Sequence, residues 1–102
     1  VSDRYLHEGQ QRILKVILAL AGRELSGLAP GEIAKGLDIT PSCVTRDLAN
    51  LQAAGFAEPI AETGRWRLGP KLVQIAVSFA QELNNRRSQL DEILQRYTRT
   101  PS

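Results

Sequence analysis

Acid–base, nucleophilic and metal chemistry have little to work with in this chain. Its 102 residues hold one histidine, His7, and one cysteine, Cys43. Neither has partners at the spacing of a metal cluster or a hydrolytic triad, and one cysteine makes no internal disulfide. No glycine loop of the phosphate-cradling kind appears. Directional hydrogen bonding is better supplied. Ser42, Thr45, Arg46, Ala49 and Asn50 fall on one side of a single helical stretch. A guanidinium can give two hydrogen bonds to a guanine edge, and a carboxamide can exchange two with adenine. Short hydroxyls suit phosphate or base contacts. Ala49 allows close approach of the backbone. Taken alone, the same pattern also describes an ordinary solvated helix face carrying one arginine.

Such a face must be held by a helix with a fixed start. Thr40 supplies an N-cap oxygen and Pro41 fills the first helical position, together a strong start signal. Val44, Leu48 and Leu51 form the inward face, and Gly55 ends the helix after about Ala54. Thr40 and Cys43, at this helix start, are counted with the residues expected to bind DNA; Cys43 otherwise reads as a small side chain between helices, with redox sensing as the alternative. Upstream, Pro30 opens a short helix to about Gly36, with Ile33, Ala34 and Leu37 inward and Lys35 a candidate phosphate contact; Gly36 at its end and Asp38 after it make the break. Ile39 anchors the turn between these two helices. The first periodic segment, from about Tyr5 to Ala21, places Ile13, Val16, Ile17 and Leu20 on one face. Leu14, Leu18 and Ala21 widen its stripe beyond what a surface helix needs, so cover on two sides is expected. Gly22 serves as its C-terminal stop. Leu25 to Leu28 reads as a short edge strand.

Downstream, Phe56 to Ile60 and Arg65 to Leu68 read as two strands around a turn at Ala61-Glu62-Thr63-Gly64, with Pro59 on an edge. Alternation puts Arg65 and Arg67 on one side, as a second pair of cations for a backbone or minor groove, and Trp66 on the other as a packing residue. Two short helices joined by a tight turn and followed by a hairpin outline a winged helix-turn-helix. The fold class is therefore mainly α with a small β-hairpin wing, followed by a long C-terminal helix.

Composition narrows the function classes. Hydrophobic residues make up 42% of the chain and charged residues 24%, which is a globular balance. With 13 basic and 11 acidic residues, the net charge of +2 says little about partners. One domain of modest core is expected at this length, with little room for a deep enzyme pocket. An enzyme is not expected, and no cofactor or metal is called for. No apolar run approaches the ~20 residues of a membrane span. The start Val1-Ser2-Asp3-Arg4 lacks the features of a signal peptide, so a cytoplasmic location is expected.

Residues Arg12 to Ala76 resemble the DNA-binding domain of the IclR family of bacterial regulators. The resemblance rests on Arg12-Ile13-Leu14, Glu32-Ile33-Ala34 and Ser42-Cys43-Val44-Thr45-Arg46-Asp47-Leu48. Leu51, Gly55-Phe56 and Arg67-Leu68-Gly69-Pro70-Lys71-Leu72 complete it. No single stretch is decisive; their order and spacing together are specific. The family has Ser-Thr where Ser42-Cys43 stands, and an aromatic, often tyrosine, where Trp66 stands. Its members carry a C-terminal ligand-sensing domain that residues 70–102 cannot form. The chain is then either part of a longer regulator or a free-standing one, with no small-molecule effector evident. The resemblance implies double-stranded DNA as the partner. It makes the helix opening at Thr40-Pro41 the recognition helix, which enters the major groove with its N-terminal residues nearest the bases.

From Leu72 onward the helical phase holds. Read as heptads, one seam position takes Ala76, Leu83, Leu90 and Tyr97, and the other Leu72, Phe79, Arg86 and Ile93; Ile75 and Leu94 flank them. Arg86 and the polar run Asn84 to Ser88 interrupt the seam. Either one helix runs through with a polar layer, or two helices meet near Asn85. The segmentation expected is 1–69 for the winged domain and 70–102 for a dimerising helix. A homodimer would set two recognition helices on a roughly palindromic operator. The expected function is sequence-specific transcriptional regulation, as a repressor, since no activating surface is visible. The alternative is a winged-helix protein-interaction or assembly module that binds no DNA, to which Asp47 and Ala53 on the third helix lend support.

Overall fold

The computed structural model describes residues 3–99. By its contacts the chain divides into two units, Val1–Leu72 and Val73–Ser102. In the first, a short 3-10 turn at Asp3–Tyr5 precedes α1 (Glu8–Leu20), α2 (Pro30–Leu37) and α3 (Pro41–Ala53). Strands β1 (Ala57–Pro59) and β2 (Trp66–Leu68) follow, and α4 (Pro70–Thr98) begins in the first unit and makes up most of the second. The winged helix-turn-helix expected from the sequence is present.

Helices α1, α2 and α3 each begin where a side chain bonds an otherwise unpaired backbone amide. At α1 the cap is His7, whose Nδ1 accepts from the Gln10 amide at 3.3 Å. Helix α2 opens with Pro30, and Glu32 reaches back to accept from the Ala29 amide at 2.9 Å. Helix α3 opens as expected, with Pro41 in its first turn and Thr40 Oγ1 accepting from the Cys43 amide at 3.3 Å. Helix α2 runs one residue past the expected Gly36, and Asp38 forms the break after it. Gly36 lies inside the helix, and the chain leaves it at Asp38, which takes a left-handed conformation at φ 54°. Aspartate tolerates that region better than most residues, because its short polar side chain can bond locally.

The three helices and β1 close on one core. Val16, Leu20, Ile33, Val44, Leu48, Leu51 and Ala57 are buried, and Ile13, Ile17, Leu28, Leu37, Ile39, Phe56, Trp66 and Leu68 pack around them. Burying each large member contributes about 1.5–3 kcal/mol. Leu14 and Leu18, two of the residues that widened the stripe of α1, remain 51% and 73% exposed, so the three-helix core leaves that side uncovered.

The hairpin is antiparallel, with Ala57 opposite Leu68, Glu58 opposite Arg67 and Pro59 opposite Trp66. The edge strand expected at Leu25 to Leu28 shrinks to one bridge, in which Leu28 and Trp66 exchange both backbone hydrogen bonds at 2.8 Å. Gly27 explains the shortness. Its φ is +71°, and a Cβ there would sit 2.8 Å from the Trp66 carbonyl, so strand geometry gives way to a turn. Gly69 returns the chain to the core, its amide donating to the Phe56 carbonyl at 2.8 Å.

Helix α4 is continuous for 29 residues, so the polar run at Asn84 to Ser88 lies within one helix. Arg86 bonds Glu82 one turn earlier at 3.1 Å. None of its residues is buried. Among the described residues, no helix is long and apolar enough to cross a membrane, and no cluster of histidine, cysteine and carboxylate side chains could hold a metal ion.

Candidate nucleic-acid interface

On α3 the apolar stripe Val44, Leu48 and Leu51 is buried against the core, which turns the other side outward. Ser42, Thr45, Arg46, Ala49 and Asn50 are all exposed, and Thr40 is exposed at the helix start. The residues expected to read base edges therefore share one accessible face. Cys43 is half-buried at its margin, between the core and that face. Lys35 is exposed in the last turn of α2, where its charge also complements the helix C-terminus.

Several of these side chains are occupied with their own helix. Thr45 donates to the Pro41 carbonyl at 3.0 Å, and Asn50 Nδ2 donates to the Arg46 carbonyl at 2.9 Å. The Thr40 and Ser42 hydroxyls share a hydrogen bond of 3.2 Å. Each keeps unused capacity: a threonine oxygen still accepts, and the carboxamide of Asn50 retains an oxygen and one N–H. Arg46 forms no ion pair among the described residues.

The wing departs from the sequence reading. Arg65 and Arg67 were expected as two cations offered to a nucleic acid, yet both are engaged internally. Arg65 donates through Nε to the Ser26 carbonyl at 3.0 Å and through Nη2 to the Gly27 carbonyl at 3.1 Å. It also pairs with Glu32 at 2.9 Å. That carboxylate is held below its ordinary pKa chiefly by the Ala29 amide, against the opposing effect of burial, with the charges of Arg65 and Arg23 adding smaller downward pulls. Arg67 pairs with Glu58, directly across the hairpin, at 2.9 Å. The two arginines tie the wing to α2 and to itself. The wing's cations are matched by these acids, which leaves Arg46 and Lys35 as the exposed cations of the helix-turn-helix.

Sequence reasoning missed the pair Arg12–Asp47. Asp47 is 4% exposed, the buried charged residue of the described chain. Arg12 grips both of its oxygens, Nε to Oδ2 at 2.8 Å and Nη2 to Oδ1 at 2.9 Å. The guanidinium is held above its usual pKa chiefly by that hydrogen bond. The signal was present. Asp47 lies three residues after Val44, within the buried stripe at i, i+3, i+4, i+7, and Arg12 lies four before Val16 on α1. Asp47 therefore does not charge the outer face of α3, as the protein-interaction reading assumed.

The positions expected to dimerise lie along α4. Leu72 is half-buried, whereas Ile75, Phe79, Leu83, Leu90, Ile93 and Tyr97 are 48–82% exposed.

No family model matches the chain. Over 54 residues it is 43% identical to the HTH-type transcriptional regulator BhcR of Paracoccus denitrificans, a match that takes in 53% of this chain and 19% of that protein. The chain thus spans about a fifth of the length of that relative. Among solved structures, an IclR family transcriptional regulator from Brucella abortus superposes with a TM-score of 0.66 at 22% identity, over 81% of this chain and 31% of that one. ZitR of Lactococcus lactis, in complex with DNA, superposes with a TM-score of 0.52 at 25% identity, over 94% and 73% respectively. The fold is a winged helix-turn-helix, similar to that of the IclR family regulator from Brucella abortus.

Proposed function

We propose that this chain is the DNA-binding part of a transcriptional regulator and that α3 reads the major groove of duplex DNA. The exposed face of α3 carries the reading: an unpaired arginine, a carboxamide and three hydroxyls, presented on a capped helix whose other side is fixed in the core. Similarity to a regulator and to a DNA-bound winged helix supports the same partner. Arg46 reaches a guanine edge, Asn50 an adenine, and Ser42, Thr45 and Lys35 the phosphates beside them. Arg65 and Arg67 hold the wing in place.

The binding species is a homodimer. Leu14 and Leu18 on α1 and the seam of α4 expose more large apolar side chains than a solitary domain needs to leave in water. Two copies paired along those faces address a roughly palindromic site, with repression as the expected sense of regulation.

A salt titration of binding to random duplex tests the DNA reading. Affinity should fall by roughly tenfold or more between about 50 and 200 mM salt, as Lys35 of each copy neutralises a phosphate. Negligible binding at low salt would favour the protein-interaction module. Sedimentation of the unmutated chain beside a Leu83→Asp, Leu90→Asp variant tests the dimer. Dimers from the first and monomers from the second are expected; monomers from both would end that part of the proposal.

A further inference from the structure

Apolar packing fixes which face of a helix turns inward, but it sets the last degrees of rotation about the axis less sharply than a directional contact does, because the hydrophobic effect has no direction. Val44, Leu48 and Leu51 press α3 into the core in this non-directional way. The Arg12–Asp47 pair is different. Two parallel hydrogen bonds, 2.8 and 2.9 Å, join a planar fork to a planar carboxylate, and such a pair is specific in angle as well as distance. It stands at the middle of α3, one residue after Arg46 and three before Asn50. A rotation of the helix that carried Arg46 off its target would break it.

Its energetics favour the same role. An ion pair in an apolar setting loses solvation, and replacing both partners by hydrophobic residues often leaves a protein as stable or more so. Asp47 is 4% exposed and the Arg12 side chain 24% exposed, so the cost of dehydration falls mostly on Asp47. Two apolar side chains would fill these positions with less cost, yet the charged pair gives what they do not: one preferred rotation.

We infer that Arg12 is a positioning residue for the outer face of α3, its two-point grip on Asp47 fixing the rotation at which Arg46 and Asn50 are presented. This rests on the proposal that α3 reads DNA.

The test uses the full chain with Arg12→Lys, which keeps the charge and loses the fork, and the double variant Arg12→Leu, Asp47→Leu. Residual dipolar couplings of backbone amides report the orientation of α3 relative to α1 without DNA. The ratio of affinities for a selected site and for random duplex reports selectivity. Both variants should fold, with shifted or averaged couplings in α3. Their selectivity ratio should fall by roughly tenfold or more while affinity for random duplex stays within about twofold. Unchanged couplings together with an unchanged ratio overturn the inference. So does a double variant that fails to fold while Arg12→Lys keeps native couplings, because the pair is then a stability element. If the unmutated chain binds no duplex, the DNA reading fails, and the couplings alone decide whether the pair fixes α3.

Discussion

Helix α3 and the wing both carry arginines that the sequence turns outward, and the structure uses them in opposite ways. Arg46 stands on α3 with Cys43, Ser42, Ala49 and Asn50 at the positions one turn away, none of them acidic. Its charge remains available. In the wing, Arg67 faces Glu58 across the hairpin and Arg65 reaches Glu32 at the start of α2. Their charges are answered before any partner arrives. Strand alternation says on which side a cation emerges. It does not say whether an acid from another element already waits there.

The largest expected effect of breaking that contrast is at Arg46. Arg46→Ala should weaken binding to a selected duplex by roughly 5- to 150-fold, the range for losing one two-point base contact. Its melting temperature should stay within a few degrees, as for most surface substitutions. Titration by fluorescence anisotropy beside a thermal scan separates the two. Arg65→Ala should do the reverse. Losing its contacts to Ser26, Gly27 and Glu32 should lower stability in urea by about 1–2 kcal/mol. The slope of log affinity against log salt should not change; a decrease of about one would place Arg65 on a phosphate.

Smaller effects sharpen the same contrast. Glu58→Gln removes the acid facing Arg67, and stability should change by no more than about 0.5 kcal/mol, because both partners are substantially exposed. Released from its acid, Arg67 becomes available, and affinity for random duplex at low salt should rise slightly. The smallest effect is the pH dependence of Glu32. Its pKa is lower in the folded chain than in the unfolded one. Its contribution is therefore complete above the ordinary carboxylate range and is lost as pH falls through the folded value. Melting temperatures measured from about pH 6 down to pH 3 should decline less steeply for Glu32→Gln than for the unmutated chain.

Much of the fold was legible because its signals are local. Thr40-Pro41 marks the start of α3, and the turn residues around Gly64 mark the hairpin. Helical spacing identifies Val16, Leu20, Val44, Leu48 and Leu51 as core. The outward face of α3 follows from that inward stripe. What escaped the sequence depends on residues far apart in the chain. Asp47 looked like a surface charge because nothing nearby balances it; its partner lies 35 residues earlier. Arg65 looked free because the carbonyls of Ser26 and Gly27 and the carboxylate of Glu32 reach it only after the hairpin folds back. The break after α2 was legible at Gly36 and Asp38; that the helix runs one residue past Gly36 and that Asp38 alone makes the left-handed turn was not.

Selection of bound sequences from random duplex DNA, run in parallel with the unmutated chain and Arg46→Ala, tests the central claim most directly. Reading by α3 predicts a palindromic motif that is lost or relaxed in the variant. The same motif from both proteins, or no enrichment from either at low salt, would contradict it.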